Sequence, residues 1–251
     1  MQGVEHLGPR GCASTMLGLA NFLSVEPNAG HIRAALGRLA QKLVNLYQRE
    51  VSPEAKGRGE GGQAAMQEPR REGEPAADDW RWFEPELTYD NALIPLALFR
   101  AYQVTGERIS LRVARESLEF LESICFQDGQ LILVGNAGWH RRGGVRALVD
   151  EQATDAAAFV LAFRGAYLVT GDHHYLQRMR ESFAWFLGAN RLGLPLYDFV
   201  TAGCRDGLGA KEVNQNQGAE STVSFLMSLL EMQDLAGEGL EHPRNPPWAT
   251  N

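Results

Sequence analysis

The sequence predicts an all-α chain of repeated helical hairpins. Three observations carry that reading: an internal repeat, an alternation of two helix types, and an alternation of short and long connections. Asp90 to Leu121 reads DNALIPLALFRAYQVTGERISLRVARESLEFL, and Asp155 to Leu187 reads DAAAFVLAFRGAYLVTGDHHYLQRMRESFAWFL. The two share AYxVTG and RES at an offset of 65 residues with one residue inserted. The same offset leads from Asp155 to Glu220, which opens ESTVSFLMSLLEMQDL. A repeat of this length is one supersecondary unit, copied and stacked.

In chain order, residues 1–50 form an N-terminal hairpin, a degenerate copy made of ASTMLGLANFLS and HIRAALGRLAQKLVNLYQRE. Residues 51–79 are rich in Gly, Pro, Glu and Arg and almost free of large apolar residues. They read as a flexible, disordered insertion that cannot bury enough surface to offset its ordering entropy. Residues 80–235 carry the repeats, and 236–251 form a flexible polar tail. The first helix of each repeat is apolar nearly all round (Ala92–Phe99, Ala156–Phe163, Val223–Leu230), which predicts burial on every side. The second carries a single apolar stripe: Ile32, Leu36, Leu39, Leu43 and Tyr47 in one copy, Tyr175, Met179, Phe183 and Phe186 in another. First helices are therefore inner and second helices outer. Pro95 falls about one turn into its helix, where its missing donor costs least and a bend is tolerated.

The connections distinguish the two ends of the stack. Inner helices pass to outer ones through tight turns at Thr105-Gly106 and Thr170-Gly171, whereas the returns, near 126–150 and 188–216, are long. All the long loops meet the N-terminal ends of inner helices, and long loops on a rigid scaffold are where function concentrates. Gly129 to Trp139, GQLILVGNAGW, is expected to add a short hairpin there.

A net charge of −7 argues against nucleic acid or an anionic membrane as partner, since both need clustered Lys and Arg. Cys12, Cys125 and Cys204 lie far apart with no CxxC pair, which fits neither a disulfide framework nor a zinc ribbon and points to a reducing, cytoplasmic setting. The N-terminus lacks a basic segment with a long apolar run, so neither export nor a membrane span is expected.

Asp90, Asp155 and Glu220 recur at the starts of three inner helices and so share one rim. Their ordinary role is helix capping and dipole compensation. Their chemical role is catalysis. Neighbouring inner helices lie about 8–10 Å apart, the separation at which an acid and a base hold a water across a glycosidic bond, so inversion fits better than retention. Glu84, Glu86, Asp150 and Glu151 stand beside them in sequence. Trp80, Trp82, Phe83, Tyr89 and Trp139 offer flat apolar faces, and Asn136, Asn214, Gln215, Asn216 and Gln217 offer paired donors and acceptors suited to hydroxyl groups. Core packing and loop-backbone bonding are the plain alternatives for these residues. His140, Arg141, Arg142 and Arg146 form a basic patch fit for an acidic or phosphorylated sugar, or simply a solvated loop. His173 and His174 begin an outer helix at the opposite end without a carboxylate partner motif, so no metal site and no cofactor are predicted. GRGEGG lacks the strand and helix that a phosphate loop needs.

At WRWFEPELTYDNALIPLAL, VGNAGWH, DEQATDAAAF and NQNQGAEST the sequence resembles a bacterial family of α/α-toroid domains, found beside or fused to glycosyltransferases, within the six-hairpin glycosidase-like architecture. The resemblance runs from about Trp80 to Leu235 and implies an α/α toroid. A complete toroid has about twelve helices and the sequence holds seven, so the ring is expected to be incomplete. The expected function is that of a carbohydrate-active protein. The first candidate is an inverting glycosidase-like hydrolase of an oligosaccharide, with two of Asp90, Asp155 and Glu220 as acid and base. Trp82, Glu84, Tyr89, Asn136, Trp139, His140, Asp150, Asn214, Asn216 and Gln217 are the substrate-binding candidates. The rivals are a noncatalytic glycan-binding or scaffolding domain serving a glycosyltransferase, and a sugar epimerase, which ordinarily wants a pair of histidines as proton shuttles where only His140 lies in a loop at this end. Apolar edges left by absent hairpins predict self-association or a protein partner.

Overall fold

A computed structural model describes residues 6–52 and 79–238. Most of the 51–79 insertion and most of the 236–251 tail lie outside the described residues. Seven α-helices order the rest: α1 (Pro9–Val25), α2 (Gly30–Val51), α3 (Leu93–Thr105), α4 (Arg108–Cys125), α5 (Ala153–Thr170), α6 (His173–Ala184) and α7 (Ala219–Glu238). Six two-residue strands pair off antiparallel in the long loops. β1 (Glu86–Leu87) pairs with β4 (His140–Arg141), β2 (Phe126–Gln127) with β3 (Gln130–Leu131), and β5 (Glu151–Gln152) with β6 (Gly207–Leu208).

The helices form two layers. In the inner layer α1 packs on α3, α3 on α5 and α5 on α7, while α2, α4 and α6 lie outside, each against its own hairpin partner. The repeat is visible atom by atom in the tight turns. Gly106 and Gly171 both close their helices in the left-handed region, at φ 74° and 71°, where the absence of Cβ removes the steric cost. Their N–H groups donate to Tyr102 and Tyr167 at 2.8 Å. The preceding hydroxyls of Thr105 and Thr170 donate to Ala101 and Ala166, also at 2.8 Å.

Burial follows the expected helix types except at one end. α5 is buried from Ala156 to Ala166 save for half-buried Leu161, and the outer stripes Leu36, Leu39, Leu43, Tyr47 and Tyr175, Met179, Phe186 are buried. α7 departs from the expectation of burial on every side. It buries Ser221, Ser224, Phe225 and Ser228, but Val223, Leu226, Met227 and Leu230 are exposed. The reason is position: α7 is the last helix of the inner row, and no described helix follows it on that face.

Two local expectations shift. Pro95 is the third residue of α3, not a turn into it. The helix starts late, at Leu93, because a proline without an N–H is accommodated in the first turn, whose donors have no intrahelical acceptor anyway. The hairpin expected within Gly129–Trp139 lies earlier, Phe126–Gln127 against Gln130–Leu131, turning on Asp128 and Gly129 at φ 52° and 75°. That pair of left-handed residues suits the twist of a two-residue hairpin turn.

The segment from Gly135 to Trp139 runs back along Ala147–Asp150 instead, with Gly135 N–H on Ala147 and Asn136 N–H on Asp150. A Cβ on Gly135 would stand 2.1 Å from the Val149 carbonyl oxygen and 2.6 Å from its nitrogen, both backbone atoms that cannot swing aside. Gly135→Ala is expected to cost about 1–3 kcal/mol or more by overpacking, read as a lower denaturation midpoint. Gly37→Ala, where the added Cβ meets nothing within 4 Å, is expected to leave the midpoint unchanged or raise it.

Candidate functional site

The long-loop end contains one large cleft of about 870 Å³, set between the first turns of α5 and α7. Its walls come from Asn136 and Asp150, from β5 and the opening residues of α5 through Thr154, from Asp206 through Gly209 and Glu212 through Gln215, and from Gly218 through Ser221. Of the residues predicted from sequence, Asn136, Asp150, Asn214 and Glu220 line this space. Asp150 and Glu220 are exposed. Asp150 sits in the left-handed region at φ 64°, one residue before β5, and Glu220 is the second residue of α7.

Asp90 and Asp155 do come together, but neither lines the cleft. The Asp155 carboxylate accepts the backbone N–H of Asp90 at 2.6 Å, and the Thr154 hydroxyl donates to the Asp90 carboxylate at 2.9 Å. Asp155 is 5% exposed, and its Oδ2 is buried without a hydrogen-bond partner. Burial, reinforced by the neighbouring Asp90 carboxylate, pushes the Asp155 carboxyl up to about 8. The three repeated acids are therefore not equivalent. Asp90 lies three residues before α3, Asp155 is the third residue of α5 and Glu220 the second of α7. None is an N-cap side chain: α3 and α5 begin after Ala92 and Gln152 without a side-chain cap. The start of α7 is held by Asp206, which accepts the Gly218 N–H at 2.7 Å and the Ser221 hydroxyl at 2.5 Å.

Glu84, Tyr89 and Trp139 gather with the Asp90–Asp155 cluster. Arg10, from α1, pairs with Glu84 at 2.6 Å, donates to Asn91 at 2.8 Å and to the Tyr89 carbonyl, and lies 5.1 Å from the Tyr89 ring. Tyr89 in turn leans on half-buried Trp139 at 6.3 Å between centroids. Trp82 and His140 are core residues. Trp82 is fully buried against Phe83, and His140 is buried edge-on to Trp80. Neither lines the cleft. Asn216 and Gln217 stitch loops together, Asn216 to Asp206 and Gln217 to Asp198 and Thr201.

The basic patch is spent on structure. Arg141 pairs with Glu86 at 2.9 Å and Arg142 with Glu50 at 3.0 Å, while buried Arg146 donates to the carbonyls of Ile124 and Ile132. Glu151, fully buried, accepts from the Leu133 N–H at 3.0 Å, the Trp185 indole at 3.3 Å and Arg191 at 3.0 Å. Burial pushes its carboxyl up against the pull of those donors. Arg10, Asp206 and Glu212 carry no signal in the sequence. Arg10 and Asp206 take their meaning from partners distant in sequence, and Glu212 from the cleft it lines. Among the described residues, no three His, Cys, Asp or Glu side chains are placed to hold a metal ion, and no helix is long and apolar enough to cross a membrane. All three cysteines are buried free thiols.

No protein-family model matches the sequence, and no curated protein matches it.

The Asp155 environment has a thermodynamic consequence. Its folded-state pKa lies above the ordinary carboxyl value, so its contribution to stability is fully present below about pH 4 and is lost as pH rises toward 8. Asp155→Asn keeps the Oδ1 acceptor but cannot ionise. The variant is expected to match the parent near pH 4 and to exceed it by on the order of 2–4 kcal/mol at pH 7–8, measured by urea denaturation across pH. A parallel pH profile for the two proteins would contradict the assignment.

Proposed function

We propose that this chain is a carbohydrate-binding domain of α/α-toroid type, akin to those associated with glycosyltransferases, and that the cleft between α5 and α7 holds an oligosaccharide. The observation that carries the reading is the cleft itself. It is large enough for several sugar rings, sits at the end where all the long loops meet, and is walled by Gln152, Thr154, Asn214, Gln215 and carboxylates. Such groups bond hydroxyls as both donors and acceptors. The open end of the inner row, with Val223, Leu226, Met227 and Leu230 exposed on α7, fits an incomplete ring.

Catalysis is the second reading, favoured by the exposed carboxylates of Asp150 and Glu220, which reach the same space from different elements. They replace Asp90 and Asp155 as the acid and base of an inverting hydrolysis, since neither of that pair lines the cleft.

Calorimetry with a panel of oligosaccharides, paired with product analysis on the same panel, separates the two. Asn214→Ala and Gln152→Ala are each expected to weaken binding about five- to tenfold, the worth of one or two hydrogen bonds. Trp139→Ala, outside the cleft lining, is expected to leave it unchanged. If products appear, Asp150→Asn and Glu220→Gln are expected to lower turnover on the order of a hundredfold. Binding that survives both amide substitutions would place the saccharide elsewhere.

A further inference from the structure

The composition of the cleft wall goes beyond its polarity. Asp150, Glu151, Asp206, Glu212 and Glu220 line it, and no Lys, Arg or His does. Glu151 is balanced by Arg191, whose guanidinium also donates to the carbonyls of Gly209 and Ala210 behind the wall. Asp206 is ionised: partial desolvation works to raise its pKa, but hydrogen bonds from Ser221, Asn216 and the Gly218 N–H outweigh it and hold it below the ordinary value. Arg205, the nearest arginine in sequence, is engaged by Asp198 at 3.1 Å and by Gln215. Lys211 belongs to the same turn as Glu212 but is not part of the lining.

Two helix N-termini, those of α5 and α7, face the cleft and contribute about half a positive charge each. Against four unbalanced carboxylates this leaves roughly three negative charges around one cleft. The acids are also spread along the wall. They are not drawn to a point, and no three carboxylates are placed around a single metal ion. A field of this kind suits a ligand that carries several separated positive charges. It repels uronic acids and phosphorylated sugars.

Resting on the saccharide reading of the same cleft, we infer that its ligand is an oligosaccharide of amino sugars with free, protonated amines. The ammonium groups sit among Asp150, Asp206, Glu212 and Glu220, and the hydroxyls bond to the amides. This reverses the expectation that the Arg141–Arg146 segment holds an acidic sugar, because those arginines are engaged elsewhere.

The test is calorimetric titration of the full chain with three probes of equal length: a glucosamine oligomer, its fully N-acetylated form and a galacturonate oligomer. At about 50 mM salt the glucosamine oligomer is expected to bind at least tenfold more tightly than the acetylated one, and the galacturonate not at all. At about 500 mM salt most of that advantage should disappear, as screening requires. Because the whole chain is acidic at −7, general attraction has to be separated from the cleft. Glu220→Gln and Glu212→Gln are expected to erode the free-amine preference severalfold, while Glu107→Gln, in the exposed α3–α4 turn, leaves it intact. Equal affinity for the charged and acetylated oligomers overturns this inference and leaves the saccharide reading standing. A preference eroded equally by Glu107→Gln overturns it as well. Failure of all three probes to bind removes both.

Discussion

The buried carboxyl of Asp155 ties the start of α5 to the chain that leads into α3. In the first turn of α5 the Asp155 side chain is withdrawn from water, so an anion there is costly. Asp155 resolves this by reaching to the Asp90 N–H, while Thr154 beside it donates to the Asp90 side chain. The reciprocal pair holds Asp90 in the left-handed region at φ 49°, a conformation Asp tolerates better than most residues. That kink turns the chain into α3. Arg10 from α1 then closes the other side through Glu84, Asn91 and Tyr89. The entries to α3 and α5 and the start of α1 are thus one polar cluster that couples the first of the tight repeats to the second.

The next inner interface uses the same chemistry with different residues. Glu151 gathers a backbone N–H, an indole and a guanidinium, and so fixes the 126–152 loop to Trp185 and Arg191 beyond α6. Asp206 gathers the first donors of α7, fixing the 188–218 loop. β5 and β6 then pair the two loops edge to edge. The cleft is the space left where these two tied-down loops part over the starts of α5 and α7. Its walls are therefore rigid loop segments, each anchored by a buried or hydrogen-bonded carboxylate, and this is the arrangement that positions side chains well for recognition.

Much of this was legible in the sequence. The repeat offset and the Thr-Gly turns forecast seven helices in two layers, because both follow from local rules: a left-handed glycine ends a helix, and apolar spacing assigns its face. The shared end of the long loops followed from counting connections. What escaped was direction and partnership. Trp82 and Trp139 look alike in sequence, yet Trp82 packs on Phe83 in the core and Trp139 leans on Tyr89 at the surface. Asp155 and Glu220 align in the repeat, yet one is buried inside the row and the other exposed at its end, because α5 has an inner helix on both sides and α7, among the described residues, on one. Periodicity fixes a face relative to the helix axis. It does not say whether a further helix will cover that face. Arg10 and Asp206 acquire meaning only through partners 74 and 12 residues away.

The fate of the aromatics bears on how the cleft works. None of its lining residues is aromatic, so stacking on sugar faces is not the main source of affinity there. Two of its amides are already engaged: Asn214 accepts the Asn216 N–H, and Gln215 accepts from Arg205 and donates to the Val213 carbonyl. Bound in this way, they lose little further freedom when a ligand arrives, which lowers the entropic cost of recognition and sharpens its geometry. Each neutral hydrogen bond exchanged with water nevertheless contributes only about 0.5–1.5 kcal/mol. A hydroxyl-only ligand therefore gains specificity more than strength in this site. Bonds in which one partner is charged are about twice as strong. Where stacking is absent and the amides are held fixed, the carboxylates of the wall supply the largest interaction the cleft offers, and the charge of the ligand becomes the property it selects most strongly.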